Sequence, residues 1–213
     1  NPIESFMNDS QDPSLQEDVL TRDGIDSVLA LLEEISYDEL ETDEAYMDYS
    51  HPDRKFTKEL EDRKFYRVRG DQLHYKVVGK YTIRNFIVKD GYFDAYKGCP
   101  APDFTQYWLV DKKVLYMMLD LILELDELGH NKYGFKIRTQ HRHPTKNTAI
   151  HGASYSQHQF GRAIDIKVLD VDKNGEENQA DKTIIYDLLL KIVGDKGGIG
   201  RYPGGMNLHF DCR

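Results

Sequence analysis

The chain has 213 residues, 39% of them hydrophobic and 31% charged. That balance belongs to a folded chain rather than a disordered one, and the length suits one large domain, or one domain with an extension. No stretch approaches the roughly 18 apolar residues of a membrane span, and a net charge of −9 argues against a nucleic-acid binder.

The charge is unevenly spread. Residues 1–50 hold 15 Asp/Glu and only Arg22, about −14, whereas residues 51–213 hold 27 Lys/Arg against 22 Asp/Glu, about +5. An acidic arm thus precedes a mildly basic body, either as a solvated extension or packed against it. The start, Asn1-Pro2-Ile3, carries no start Met, basic region or apolar core of a leader, so no targeting signal is read there. Two cysteines, Cys99 and Cys212, are too few for a disulfide scaffold. They allow one long-range bridge or two unrelated thiols.

In chain order, residues 1–22 read as coil, with turn chemistry at Asn8-Asp9-Ser10 and Asp12-Pro13-Ser14. Ile25, Val28, Leu29, Leu32 and Ile35, continuing toward Leu40, predict one amphipathic helix. Residues 41–64 read as a polar linker, which divides the chain into an N-terminal arm, 1–64, and a main domain, 65–213. Alternation around Gly70-Asp71 predicts a hairpin, with a further extended piece near Tyr81–Val88. A helix over about Asp111–Leu128 buries Val114, Leu115, Met118, Leu121, Ile122 and Leu125. Phe135–Arg138 is a short strand, 139–160 an irregular polar loop with four histidines, and Arg162–Leu169 a strand. A charged loop, Asp170–Asp181, leads to a helix at Lys182–Val193, a glycine-rich stretch at Gly194–Gly205 and a closing strand at Leu208–Cys212. The predicted class is α+β, with a small, mainly antiparallel sheet flanked by helices.

The chemistry concentrates in Ser156-Gln157-His158-Gln159-Phe160-Gly161-Arg162-Ala163-Ile164-Asp165. A neutral imidazole and a carboxylate are natural zinc ligands. Gly161 supplies the turn from loop to strand. If Ile164, Ile166 and Val168 take the core face, Asp165 takes the other. In the last strand Leu208, Phe210 and Cys212 share one face, and His209 and Asp211 the opposite one. His158, Asp165 and His209 then form a candidate three-ligand site whose fourth position is left for water. Spacing alone leaves open that the three are separate hydrogen-bonding residues.

The run S-x-H-x-x-G-x-A-x-D, with a His in an extended strand 44 residues later, resembles the zinc D-alanyl-D-alanine carboxypeptidase and murein endopeptidase superfamily. That group shares its fold with the zinc-bearing domain of hedgehog proteins. The ending Gly197-Gly198-Ile199-Gly200-Arg201-Tyr202-Pro203, then Leu208-His209-Phe210-Asp211, is similar to the murein endopeptidase branch that closes on H-x-D. The resemblance covers about residues 80–213. It implies a hedgehog/DD-peptidase-like fold, Zn2+ on His158, Asp165 and His209, and peptidoglycan peptides as substrate. It further matches Arg142 to an Arg that acts in catalysis and holds a substrate carboxylate, and Asn147 and Ser156 to a substrate-binding Asn and Ser.

One departure stands out. Many relatives keep an acid three residues before the last His, where this chain has Met206. Asp211 is then the nearest general base, or else a carboxylate that orients a ligand His, with Asp195 a weaker option. His141, His143 and His151 are further ligands by residue type, or line the cleft. The resemblance implies a zinc peptidase of the periplasm, the cell surface or a secreted space, and a monomer is expected. The alternative is a zinc-stabilised peptidoglycan- or protein-binding module without turnover.

Overall fold

The computed structural model describes residues 16–41, 57–87, 105–142 and 144–213. The helices are α1 (Arg22–Leu29), α2 (Tyr37–Glu41), α3 (Thr57–Glu61), α4 (Ile83–Phe86), α5 (Lys112–Glu127), α6 (Pro144–Ala149) and α7 (Gln179–Val193). The strands are β1 (Glu33–Ile35), β2 (Phe65–Arg69), β3 (Lys76–Val78), β4 (Tyr81–Thr82), β5 (Thr105–Leu109), β6 (Phe135–Thr139), β7 (Ala163–Val168), β8 (Gly198–Arg201) and β9 (Asn207–Asp211). They pair as β1-β2-β5, β3-β4 and β6-β7-β9-β8, antiparallel throughout. The fold is α+β, as the sequence predicts.

The main core lies between the long helices and the four-stranded sheet. Val114, Leu115, Met118, Leu121, Ile122 and Leu125 of α5 are buried there with Ile185, Leu188 and Leu189 of α7 and with Ile164, Ile166, Val168, Leu208 and Phe210. Both helices are started by side chains. Asp111 accepts the Lys113 N–H, while Asn178 and Asp181 form a reciprocal capping box on α7. A smaller cluster joins Ile35, Tyr37, Leu40, Leu60, Phe65, Tyr107 and Leu109 to Phe160. This cluster ties the three-stranded sheet to the turn that carries His158.

Several local expectations change. The helical period from Ile25 is broken after Leu29, and Ile35 sits in β1, paired with Phe65. Apolar spacing persisted because Leu32, Ile35 and Leu40 are all buried, but in the bend after α1, in β1 and in α2 respectively. The hairpin around Gly70-Asp71 does not form. Asp71–His74 is a 3-10 turn, β2 pairs with β1 and β5, and β3 pairs with β4. The glycine-rich stretch contains β8, and Ile83–Phe86 is helical. Packing crosses residue 64, since Ile25 and Leu29 share one cluster with Trp108 and Phe210. Cys212 is a buried free thiol, and burial pushes its pKa up to about 12. Cys99 and His143 lie outside the described residues, and so do the pairing of Cys99 and a His141–His143 ligand pair.

Candidate metal centre

β7 and β9 run side by side with Asp165 directly opposite His209. Alternation sends Ile164, Ile166, Leu208 and Phe210 into the core and leaves Asp165, His209 and Asp211 on the other face. His158 arrives from the 3-10 turn Gln157–Phe160, which exits through Gly161 at φ 68°. A side chain at 161 would stand 2.5 Å from the Leu109 carbonyl oxygen, so conformation and space both demand glycine. This turn brings ligand atoms of His158, Asp165 and His209 within 4.8 Å of one another.

The hydrogen bonds fix which nitrogen of His158 is bare. Its Nδ1 lies 2.7 Å from the Gln140 carbonyl, which can only accept, so Nδ1 carries a proton and, in the neutral ring, Nε2 is the lone pair. Nε2 is buried and makes no hydrogen bond, although Asp165 Oδ1 is 3.2 Å away. A lone pair facing a carboxylate oxygen in a buried place is unfavourable by itself, and a cation between them removes the conflict. His209 contacts Asp165 Oδ1 through Nδ1 at 2.8 Å and Asp211 Oδ2 through Nε2 at 3.2 Å. Burial would lower the pKa of this imidazole, but the two carboxylates outweigh it and raise the pKa to about 9. Burial likewise opposes the charge on Asp165, and the two histidines override it, holding its carboxyl well below the usual range. Two imidazoles and one carboxylate, with an orphaned nitrogen aimed between them, fit a divalent metal ion as three protein ligands with an open position.

Around this group Arg142 places Nη2 3.5 Å from Asp165 Oδ2, and Nη1 donates to Asn147 Oδ1 at 3.2 Å. Asn147 is buried and donates to the Ala153 carbonyl, so it holds both the Arg and the turn that follows α6. Ser156 precedes the His158 turn and makes no capping bond to it, leaving its hydroxyl uncommitted there. Asp211 is fully buried. Its Oδ1 accepts from Gly198 N and Arg213 Nε, and its Oδ2 from Arg213 Nη2 and His209. Asp195 and His151 are exposed, and His141 is buried next to Arg142. Met206, at the position where an acid is expected, pairs its carbonyl with Val168 N.

Three supporting residues escape the sequence reading. The buried Gln140 side chain accepts from Trp108 Nε1 at 2.8 Å and donates to the Leu109 and Gly161 carbonyls, while its own carbonyl holds His158. Arg213 grips Asp211. Lys182, buried on α7, donates to the Tyr202 carbonyl at 2.6 Å and to that of Gly205, which pins the turn after β8. None has a sequence signal beyond polarity, although a Lys on the apolar side of a helix is a hint. Among the described residues one other acidic group gathers, Asp170, Asp172 and Asp181. Its oxygens accept N–H groups of their own loop, including those of Val171, Asn174 and Asn178, so it closes that loop and caps α7.

An α+β domain with two histidines and a carboxylate converging from paired strands and a glycine turn has the frame of a metallopeptidase. The family model of peptidase M15 matches residues 111–192. The match runs from the cap of α5 to α7 and contains His158 and Asp165. The resemblance read from residues 156–165 is thereby borne out, while residues 197–211 lie beyond the match. No curated protein and no solved structure matches the chain.

Proposed function

We propose that the chain is a zinc-dependent peptidase acting on the D-amino-acid-containing stem or cross-link peptides of peptidoglycan. The observation that carries this reading is the bare, buried Nε2 of His158, close to Asp165 and His209 in a chain whose residues 111–192 match the M15 family model. His158, Asp165 and His209 are the residues that would hold the ion. With Nε2 of His209 engaged by Asp211, Nδ1 is the nitrogen it offers. A bound zinc supplies Lewis acidity and lowers the pKa of water to about 7.

The chain's own groups do the rest. Arg142, fixed by Asn147 and half turned toward Asp165, has the fork geometry to take a substrate carboxylate or a developing oxyanion. Ser156 offers a hydroxyl to the substrate backbone. The bonding of Asp211 supports a role in orienting His209 over one in proton transfer, because both its oxygens are already engaged. A substrate of this class places the protein in the periplasm, on the cell surface or outside the cell.

The test is release of new amine from intact sacculi and defined muropeptides, with and without chelator, for the native chain and for His209→Ala. Cleavage that chelator abolishes, with zinc content lost in His209→Ala, is the expected result. Full zinc occupancy in His209→Ala would remove the site. Tight binding of muropeptides without any cleavage would favour a zinc-stabilised binding module.

A further inference from the structure

β8 is the edge strand beside the candidate metal centre, and its two faces differ. Ile199 packs on the core, and Arg201 turns toward α7, where its guanidinium lies 5.1 Å over the Tyr186 ring and Nη2 donates to Thr183 Oγ1 at 3.3 Å. The even positions face the other way. Gly198 lies opposite Asp211 and Gly200 opposite His209. A side chain on Gly200 would stand 3.1 Å from His209 Cβ, and one on Gly198 would stand 2.9 Å from Asp211 Oδ2. Both positions therefore look onto the face that carries the metal ligands. Alternation makes Tyr202 the next residue on that face, and the first after two glycines to bring a side chain to it.

The backbone beneath Tyr202 is held from the opposite side. Lys182 of α7 is buried and donates to the Tyr202 carbonyl at 2.6 Å and to the Gly205 carbonyl. An ammonium group taken out of water to bind two carbonyls fixes residue 202 and leaves its side chain uncommitted. Tyr202 is 46% exposed, and among the described residues its hydroxyl makes no hydrogen bond. The phenol still feels the site. Burial raises its pKa most, the Asp165 carboxylate raises it further and Arg142 opposes them. A donor without a partner, on a clamped backbone and in the field of a candidate ligand, has the form of a preorganised hydrogen bond.

We propose that Tyr202 is a catalytic residue of this site, its hydroxyl donating a hydrogen bond to the oxygen of the scissile carbonyl as that oxygen gains negative charge, with Lys182 as the positioning residue that holds it there. The proposal rests on the peptidase reading and adds a donor to it, which leaves the fork of Arg142 for the substrate carboxylate. The phenol keeps its proton throughout. Its contact strengthens only as charge develops, so it raises kcat rather than ground-state binding.

Tyr202→Phe keeps the ring and removes the donor. The full chain is loaded with zinc, and each variant is first shown to be folded by circular dichroism and to hold zinc by metal analysis. Muropeptide cleavage is then measured, with calorimetric binding of a phosphinate peptide, whose tetrahedral oxyanion replaces the scissile amide. Tyr202→Phe should retain zinc and lower kcat by roughly 10²–10³-fold with KM little changed, and should weaken phosphinate binding by a similar factor. Lys182→Met should lower kcat in the native background and add nothing in the Tyr202→Phe background, while Lys182→Arg, which keeps the charge and the donors, should retain most of the rate. Unchanged kcat and phosphinate affinity in Tyr202→Phe would overturn the proposal, as would a loss confined to KM. An equal loss from Lys182→Met in both backgrounds would remove its positioning role. Phosphinate binding that depends on Tyr202, without cleavage by the native chain, would keep the donor and sink the peptidase reading. Cleavage that Tyr202→Phe leaves intact would do the reverse, and neither binding nor cleavage by the native chain would overturn both.

Discussion

At the scale of single residues, the question at Asp211 is whether it moves a proton or holds a ring. Asp211→Asn keeps the shape and removes the charge that His209 and Arg213 share. An orienting carboxylate predicts zinc affinity weaker by roughly 10–100-fold. At saturating zinc, the rate should then fall by less than the 10²–10⁴-fold of a lost general base. Zinc titration and muropeptide cleavage on the same variant read the two quantities separately. His141 carries a second prediction. Burial first, and the neighbouring His158 second, lower its pKa from 6.5 to about 3. The unfolded chain therefore takes up a proton here that the folded chain refuses, so this residue favours folding above pH 6.5 and opposes it increasingly as pH falls toward 3. At about 1.4 kcal/mol per unit of pH, the chelated protein should lose about 2 kcal/mol between pH 6.5 and 5 on this account. His141→Gln should lack that part of the slope in urea titrations at the two pH values. An identical slope would mean that His141 is not held neutral.

At the scale of elements, the 3-10 turn at His158 depends on one position. Gly161→Ala would impose a strained left-handed backbone and a contact with the Leu109 carbonyl. Together these should cost about 2–4 kcal/mol and shift His158 enough to lower zinc content. Thermal unfolding and metal analysis of the variant check both effects. This turn was legible in the sequence because each residue of it has a local reason: glycine for the sharp exit, alternation for Asp165, an apolar neighbour on either side. β7, β9 and α5 were legible on the same ground, since their periods are regular and their ends are capped. β8 was not, because Gly198 and Gly200 give no alternation to read. The hairpin at Gly70 was misread because local pattern says where a strand runs and not which strand pairs with it. β2 finds its partners at residues 33–35 and 105–109, far away along the chain. Gln140 was invisible for a similar reason: its worth lies in Trp108, Leu109, Gly161 and His158, which meet only once the chain has folded.

At the scale of the whole molecule, the acidic N-terminal segment is partly spent on contacts with the body. Asp18 pairs with Lys76, Arg22 with Asp120, and Asp26 with both Lys112 and Tyr116. Exposed pairs of this kind add little stability each. The hydrophobic contribution is larger: Ile25 is completely buried in the same cluster as α5 and β9. Ile25→Ala should therefore cost about 2–5 kcal/mol, measured by denaturant unfolding followed at the single tryptophan. A change below about 0.5 kcal/mol would show that α1 can leave without disturbing the fold. The tryptophan itself is Trp108 of β5, and its indole N–H is what the Gln140 side chain accepts. A thermodynamic reciprocity follows. Anything that binds only the folded state stabilises it in proportion to its affinity, and the stabilised state returns that free energy to the binder. Since Gln140 joins the ring of His158 to β5, an ion held as proposed and the closure of the three-stranded sheet would be two handles on one equilibrium. Loosening the sheet from the far side of the molecule would loosen the ion, and a cell poor in the ion would hold a population of this protein whose N-terminal sheet opens more often.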